Sequence, residues 1–458
     1  MPPTDTIAAI ATPPGSGALA LLRVSGPQAQ SVAGRVLRRP AGTLTSRQAV
    51  VSVAGERSEA IDRVVAVFFP AAQSPTGEDL VELTCHGSSY IQKRLLTALL
   101  EAGARAARPG EFTQRAFLHG RIDLAQAEAV CDLISAGTGL AHRSALFQLE
   151  GGLSRAVAGL RQPILDMLAH LEAGLDHPEE DIPPLPAAAQ RLARLAEPVA
   201  RLAETFRSGR ILREGARICI VGRTNAGKSS LLNALLGCER AIVCAEPGTT
   251  RDTIEEPFDL AGLPAVLVDT AGLGHSARSA ADAESLRRTQ LALHASDLAL
   301  LVIDGSRPLE AQDEAAHRRV RESFAADGRP VITVCSKTDL PQRTALSEDA
   351  CRVSALRATG LDELRRLMTQ RLAGGAASDD SGAAGGATVT SARHHQALLR
   401  CAEELREAAL RVRECPDCWE ELAARHLREA LAALDEITGA AAPGEVLDRI
   451  FSRFCVGK

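Results

Sequence analysis

The stretch from Ala216 to Asp252 constrains this chain most. Ala216–Val221 (ARICIV) is short, apolar and rich in β-branched residues, which predicts a buried parallel strand. It runs into Gly222-Arg-Thr-Asn-Ala-Gly-Lys-Ser229, which fits G-x-x-x-x-G-K-[ST] at every fixed position. Ser230–Leu236 (SLLNALL) then continues with helix formers and an apolar face. In this strand–loop–helix context the glycines let backbone N–H groups curl around a β-phosphate, and the helix N-terminus adds its positive dipole end. Lys228 would reach the β- and γ-phosphates, and the Ser229 hydroxyl would ligate Mg²⁺.

Further motifs follow, each at the end of a predicted strand. Ala265–Val268 leads to Asp269-Thr270-Ala271-Gly272, where Asp269 would hold the Mg²⁺ shell and Gly272 would offer its N–H to a γ-phosphate. Between the two lies Gly248-Thr249-Thr250-Arg251-Asp252. A threonine there, with Thr250 preferred, can give its hydroxyl to Mg²⁺ only while the γ-phosphate is present, which makes this a switch loop. Val331–Val334 leads to Ser336-Lys337-Thr338-Asp339, and Cys351–Val353 to Ser354-Ala355-Leu356. The Asp339 carboxylate can accept from guanine N1 and N2, and the Ala355 N–H can donate to O6. Adenine presents the wrong pattern to both, so GTP is favoured. Each later motif is weak alone; their order along the chain is the stronger signal.

A length of 458 residues accommodates about three domains. With 45% hydrophobic and 24% charged residues and no long apolar run, neither a membrane span nor a signal peptide is expected. The eleven cysteines are mostly single, fitting reduced thiols and a cytoplasmic location. Their one close pair, Cys415-Pro-Asp-Cys418, reads as a turn between helices rather than a metal site. A net charge of −5 offers no bulk argument for nucleic acid, so any such surface would be a local arginine patch. Basic residues number 52, yet lysine occurs only at Lys93, Lys228, Lys337 and Lys458, and asparagine only at Asn225 and Asn233. Where they survive, the particular side chain is needed, since an arginine fork cannot replace a point-charge ammonium at a phosphate.

The expected fold is multidomain α/β. Residues 1–118 read as a mixed α+β domain, with strands at Thr6–Ala11, Ala18–Val24, Val64–Phe69 and Leu80–Cys85 and a helix over Ser88–Ala102. Residues 119–215 are helical, interrupted at the acidic, proline-rich Asp176–Pro186. Residues 216–373 form a P-loop, Ras-like GTPase domain, and 374–389 a flexible linker. Helical periodicity returns over 390–458, clearest at Glu420–Ile437. Neither helical half offers a large core alone, so the nucleotide domain is expected to be inserted into one helical domain.

With these flanks the chain resembles the MnmE (TrmE) family of tRNA modification GTPases, within the translation-factor-related (TrmE-Era-EngA-YihA-Septin-like) superfamily. The resemblance spans the whole chain. It rests on Asp5-Thr-Ile-Ala, Ala11-Thr-Pro-Pro-Gly, Leu22-Arg-Val-Ser-Gly26, Gly77-Glu-Asp79, Pro109-Gly-Glu-Phe-Thr113, Asp123-Leu-Ala-Gln-Ala-Glu128, Glu436-Ile-Thr-Gly439 and the terminal Ile450-Phe-Ser-Arg-Phe-Cys-Val-Gly-Lys458.

The resemblance implies a homodimer that adds a carboxymethylaminomethyl-type group to carbon 5 of the wobble uridine of certain tRNAs. It implies a flavoprotein partner, MnmG (carrying FAD), in a heterotetramer, and a one-carbon unit from 5-formyl- or 5,10-methylene-tetrahydrofolate. The N-terminal domain would bind the folate and dimerise. It further implies hydrolysis activated when two nucleotide domains pair around K⁺. The K⁺ set would be Asn225, Cys244, Glu246 and Thr249. The GTP set would run over Asn225, Ala226, Gly227, Lys228, Ser229 and Ser230, then Cys244, Ala245, Glu246, Pro247, Gly248, Thr249 and Thr250. Asp269, Thr270, Ala271 and Gly272, Ser336, Lys337 and Asp339, and Ser354, Ala355 and Leu356 complete it, with Lys228 and Asp269 also catalytic. Leu273 stands where many GTPases carry a water-orienting glutamine, which leucine cannot replace. Glu284 is the choice for that role, with Asp282 as rival. The folate set would be Arg23, Glu82, Arg121 (a lysine position in the family) and Lys458, with Cys455 taking part in modification. Ser336 replaces the usual asparagine, so weaker GTP affinity with retained guanine preference is expected. Two other readings stay open at this point: a regulatory GTPase for RNA or ribosome assembly, and a folate-dependent enzyme that uses GTP as a regulator.

Overall fold

The computed structural model describes residues 5–40, 42, 44–56, 59–176, 187–237, 255–269, 290–344, 349–372, 387–415, 418–440, 444–452 and 454–457, without the side chains of 56, 255, 269 and 311–313. The chain divides into two compact units, Met1–Cys131 with Leu434–Lys458, and Asp132–Ala433.

The first unit is built on a six-stranded sheet. Its elements are β1 (Ile7–Ile10), β2 (Leu19–Ser25), α1 (Ala29–Val36), β3 (Val50–Glu56), β4 (Glu59–Phe69), β5 (Leu80–His86), α2 (Ser89–Glu101), β6 (Arg105–Ala106), α3 (Glu111–Leu118) and α4 (Leu124–Ser135). The strand order is β3-β4-β5-β2-β1-β6. Strict alternation sets the two faces. Ala20, Leu22 and Val24 join Ala66, Leu83 and Cys85 in a core closed by α1 and α2. The opposite parity carries Arg23 opposite Glu82, and Leu21 opposite Thr84. Near β1 that second face is covered by Phe112 of α3 on Ile7, Ala9 and Leu80. Further out it bears Leu19, Val51, Val53 and Val65, all exposed. The α1 helix and β3 are additions to the sequence-based expectation: Ala29–Val36 mixes glycine and arginine into its periodicity, and Val50–Glu56 sits in a polar surround.

The chain's last helix, Gly444–Phe451, returns to this unit, where Phe451 and Phe454 bury against Leu124 and Ala127. The tail then reaches β1. The Gly110 N–H donates to the Cys455 carbonyl at 3.3 Å. Gly457 has φ +92°, and a Cβ there would run into the Ile10 carbonyl, so both conformation and space demand glycine.

In the second unit, α5 (Gly139–Leu149), α6 (Gly152–Asp176), α7 (Ala188–Glu204) and α8 (Phe206–Glu214) precede β7 (Ala216–Gly222), α9 (Lys228–Leu236), β8 (Glu255–Leu260), β9 (Leu263–Asp269), β10 (Leu298–Asp304), α10 (Ala311–Ala326), β11 (Val331–Ser336), β12 (Cys351–Arg352) and α11 (Leu361–Leu372). After them come α12 (Ala392–Glu414) and α13 (Trp419–Thr438). The strands form a sheet ordered β12-β11-β10-β7-β9-β8, parallel except for the β8–β9 hairpin. Its central strands β7 and β10 are buried almost throughout, as a sheet covered on both faces requires. The helices on either side of this domain meet. The α12 helix lies along α7. Val389 N–H donates to Thr205 Oγ1 at 3.0 Å, and Gln148 Nε2 donates to Thr390 Oγ1 at 3.1 Å. The interruption expected at Asp176–Pro186 falls, beyond Asp176 itself, outside the described residues, as does most of the linker. Among the described residues no helix is long and apolar enough to cross a membrane.

Candidate functional site

The strand carrying ARICIV is β7, and the loop that follows it ends at Gly227, whose φ of +92° caps α9 in the left-handed region. Lys228 begins the helix and folds back, its ammonium donating to the Gly222 and Arg223 carbonyls at 3.0 Å each. Ser229 and Ser230 stand in the first helical turn, both exposed, where a phosphate and its cation would lie. Asn225 has φ +66°. Asparagine is among the few residues that tolerate this, so its survival in an asparagine-poor chain has a conformational reason besides any cation.

The base-reading motifs lie at the carboxyl ends of β11 and β12, next to this loop. Ser336 Oγ is within hydrogen-bond reach of two carbonyls, Ala226 in the phosphate loop at 2.6 Å and Ile303 at 3.0 Å. The tie to the phosphate loop therefore exists with the shorter serine. The Lys337 ammonium donates to the Asn225 carbonyl at 2.8 Å and pairs with Asp304 at 2.6 Å. Ser354 Oγ donates to Asp339 Oδ1 at 2.6 Å, which holds this partly exposed carboxyl below the usual carboxylate range. That keeps it an acceptor, the state that reading guanine N1 and N2 needs. Leu356 is 86% exposed beside Ala355, an apolar surface at the place a base would lie. Asp269 ends β9, adjacent to β7 and two strands from β10. The remaining residues expected here, Cys244, Ala245, Glu246, Pro247, Gly248, Thr249, Thr250, Thr270, Ala271, Gly272, Asp282 and Glu284, lie outside the described residues.

Asp304 is a member of this site that the sequence motifs do not include. A signal exists all the same: an aspartate closing an apolar strand, followed by Gly305-Ser306, repeats the pattern that points to Asp269.

In the first unit, Arg23 Nε donates to Glu82 Oε1 at 2.9 Å across β2 and β5, both side chains partly exposed. Arg121 makes its contact elsewhere, donating to the Ala71 carbonyl at 2.5 Å; the Ala71 N–H is held by Asp79 Oδ1 at 2.9 Å. Cys455 is exposed, and Lys458 lies outside the described residues. Among the described residues no cluster of three or more His, Cys, Asp or Glu could hold a metal ion.

Four sequence motifs of this unit converge on Arg115, which is fully buried. Its Nη1 donates to the Asp5 carbonyl at 2.8 Å and to Glu78 Oε2 at 2.9 Å; its Nη2 donates to Asp5 Oδ1 at 2.8 Å and Glu111 Oε1 at 3.3 Å. Ser25 Oγ donates to Glu78 Oε2 at 2.9 Å, and Arg105 bridges Asp5 and Glu111. Burial pushes the Asp5 and Glu111 carboxyls up, but Arg105 and Arg115 outweigh it and hold both below their ordinary values.

The sequence is similar to known proteins along nearly its whole length. The family model described as "GTP-binding protein TrmE N-terminus" matches residues 6–121, and "MnmE helical domain" matches residues 124–455. A "tRNA modification GTPase MnmE" from Chloroflexus aurantiacus is 44% identical over 99% of this chain and 100% of its own length. Proteins of the same name from Geobacter sulfurreducens and Thermus thermophilus are 42% and 41% identical, each over 99% of both chains. With two family models matching residues 6–121 and 124–455 and full-length relatives at this identity, the chain belongs to the MnmE family.

Proposed function

We propose that this protein hydrolyses GTP and couples the hydrolysis to modification of tRNA. One observation carries the reading: the phosphate loop, Lys337 and the Asp339–Ser354 pair come together at the carboxyl ends of neighbouring parallel strands, where open α/β sheets bind their ligands. Full-length relatives named as tRNA modification GTPases supply the tRNA half.

The finer reading is that a carboxymethylaminomethyl-type group goes onto carbon 5 of the wobble uridine, with a flavoprotein partner and a tetrahydrofolate one-carbon unit. Arg23 and Glu82 support the folate: a donor for a carboxylate and an acceptor for pterin N–H groups stand on a sheet face with exposed Leu19 and Val65. When bound, the folate would supply the one-carbon unit; Arg23 and Glu82 would orient it, with Arg121, Lys458 and Cys455 as further candidates. The exposed apolar Val51, Val53 and Val65 on the same face support homodimerisation through this domain. We take the domains as 1–118, 119–215, 216–373 inserted among the helices, and 390–458.

For hydrolysis, Ser229 and Thr250 would hold Mg²⁺, and Asn225 with Cys244, Glu246 and Thr249 would hold K⁺. The test is GTP turnover in potassium against sodium for the full chain, with Asn225→Ala and Asn225→Gly. Glycine keeps the left-handed backbone and removes only the carboxamide. Potassium stimulation lost in both variants supports the cation reading. Loss in the alanine variant alone would assign Asn225 to loop conformation.

A further inference from the structure

Asp304 ends β10 directly beside Ser336 of β11 in parallel register. Its carboxylate is anchored at both oxygens. Oδ1 accepts from the Ser306 N–H at 3.0 Å and from Ser306 Oγ at 2.6 Å, while Oδ2 faces the Lys337 ammonium at 2.6 Å. The carboxylate is 14% exposed and the lysine side chain 33%. A solvated surface pair would hold neither group in one geometry; here the acceptor is fixed by a turn and the donor has a second partner, the Asn225 carbonyl at 2.8 Å. Lys337 also adopts φ +56°, a conformation that side-chain-bearing residues rarely take, so something must hold it there. Asp304 is the one acidic group bonded to its ammonium among the described residues.

We propose that Asp304 is a positioning residue for guanine-nucleotide binding: it holds the Lys337 ammonium on the Asn225 carbonyl and so latches the base-reading loop to the phosphate loop. The chain's scarcity of lysine fits, because only a compact ammonium sits between one carbonyl and one carboxylate. Burial raises the Asp304 pKa, but the Lys337 and Ser306 donors outweigh it and hold the carboxyl below the ordinary range, so the latch stays charged at neutral pH. The proposal rests on the GTPase reading and adds to it a residue that touches neither base nor phosphate.

The experiment is titration of the full chain with a fluorescent GDP analogue, comparing wild type, Asp304→Asn, Lys337→Met and the double variant. Because a charge-assisted hydrogen bond is lost, Asp304→Asn should bind about 10- to 100-fold more weakly. GDP and GTP should weaken alike, because the ammonium meets the loop at Asn225 rather than at the γ-phosphate. KM should rise while kcat at saturating GTP stays close to wild type. In the Lys337→Met background the Asp304 substitution should cost nothing further, and Asp304→Glu, which keeps the charge, should recover part of the affinity. Wild-type-like binding by Asp304→Asn, or the same loss with and without Lys337, would overturn the proposal and leave the GTPase reading standing. Should Asp304→Asn fail to fold, Asp304→Glu carries the same comparison against Lys337→Met. A wild-type chain that does not prefer the guanine over the adenine analogue would overturn both.

Discussion

Replacing Arg115 with methionine tests whether the buried ionic cluster of the first unit holds that unit together. Methionine keeps an unbranched apolar stem and removes every donor. Arg105 continues to pair with Asp5 and Glu111. Glu78 is different: it is 7% exposed and its other hydrogen-bonding side chain is the Ser25 hydroxyl. The substitution therefore strands mainly one buried carboxylate, and breaking a buried pair from one side costs about 3–5 kcal/mol. The chain's single tryptophan, Trp419, lies in the second unit, so its fluorescence does not follow the first. Hydrogen exchange read on peptides covering β1, β2 and β5 does. Protection there should fall by about two to four decades in Arg115→Met, while peptides of β7 and β10 keep theirs.

The decisive comparison is the double variant that combines Arg115→Met with Glu78→Gln. If the cost is the stranded charge, the neutral carboxamide should restore about half or more of the lost protection. The pH dependence has a sign as well. Asp5 and Glu111 have folded pKa values below their unfolded ones, so their contribution is full above about pH 4–5 and is lost as pH falls through the folded values. Wild type should thus lose stability in that acid range, and the gap between it and Arg115→Met should narrow. A double variant no better protected than Arg115→Met, with a gap unchanged by acid, would refute the reasoning.

Other consequences are measured more simply. Asp339→Asn should shift preference from GTP towards XTP, read as the ratio of dissociation constants; an unchanged ratio would remove Asp339 from base reading. Gly457→Ala meets both a left-handed backbone and the Ile10 carbonyl, so the tail should undock: carboxypeptidase should release the last residues much faster than in wild type, while GTP turnover stays within about twofold. Arg23→Ala should weaken tetrahydrofolate binding about tenfold by calorimetry and leave guanine-nucleotide affinity unchanged.

The nucleotide site is legible in the sequence because its chemistry is local. A glycine loop between a β-branched strand and a helix carries its own geometry, and β7, β9, β11 and β12 begin or end within a few residues of their sequence-read bounds. What the sequence hides is what depends on strands distant in the chain lying side by side. Asp304 is 33 residues from Lys337, and nothing along the chain says that an aspartate after VI and a lysine after CS share a pair. The same holds for Asp5, Ser25, Glu78, Glu111 and Arg115, separate motif letters along the chain that form one buried cluster in the fold.

That cluster changes what the N-terminal motifs mean. Motif residues invite a reading as ligand contacts, yet Glu78 and Glu111 are nearly inaccessible and fully engaged with arginine. Arg23 and Glu82 differ from them in the one property a binding residue needs: they stand on the sheet's second face, partly exposed, and their side chains are bonded to each other. A buried charged residue held from three sides resists rearrangement, since each partner would have to lose a bond before another formed. The cluster thus fixes the ends of β1, β2 and the Gly77–Asp79 turn, and Asp79 in turn holds the Ala71 peptide to which Arg121 bonds. Rigid framework and exposed pair are separate parts of one design, so Arg115→Met should disturb the proposed folate site and the tail together, whereas Arg23→Ala should disturb the proposed folate site alone.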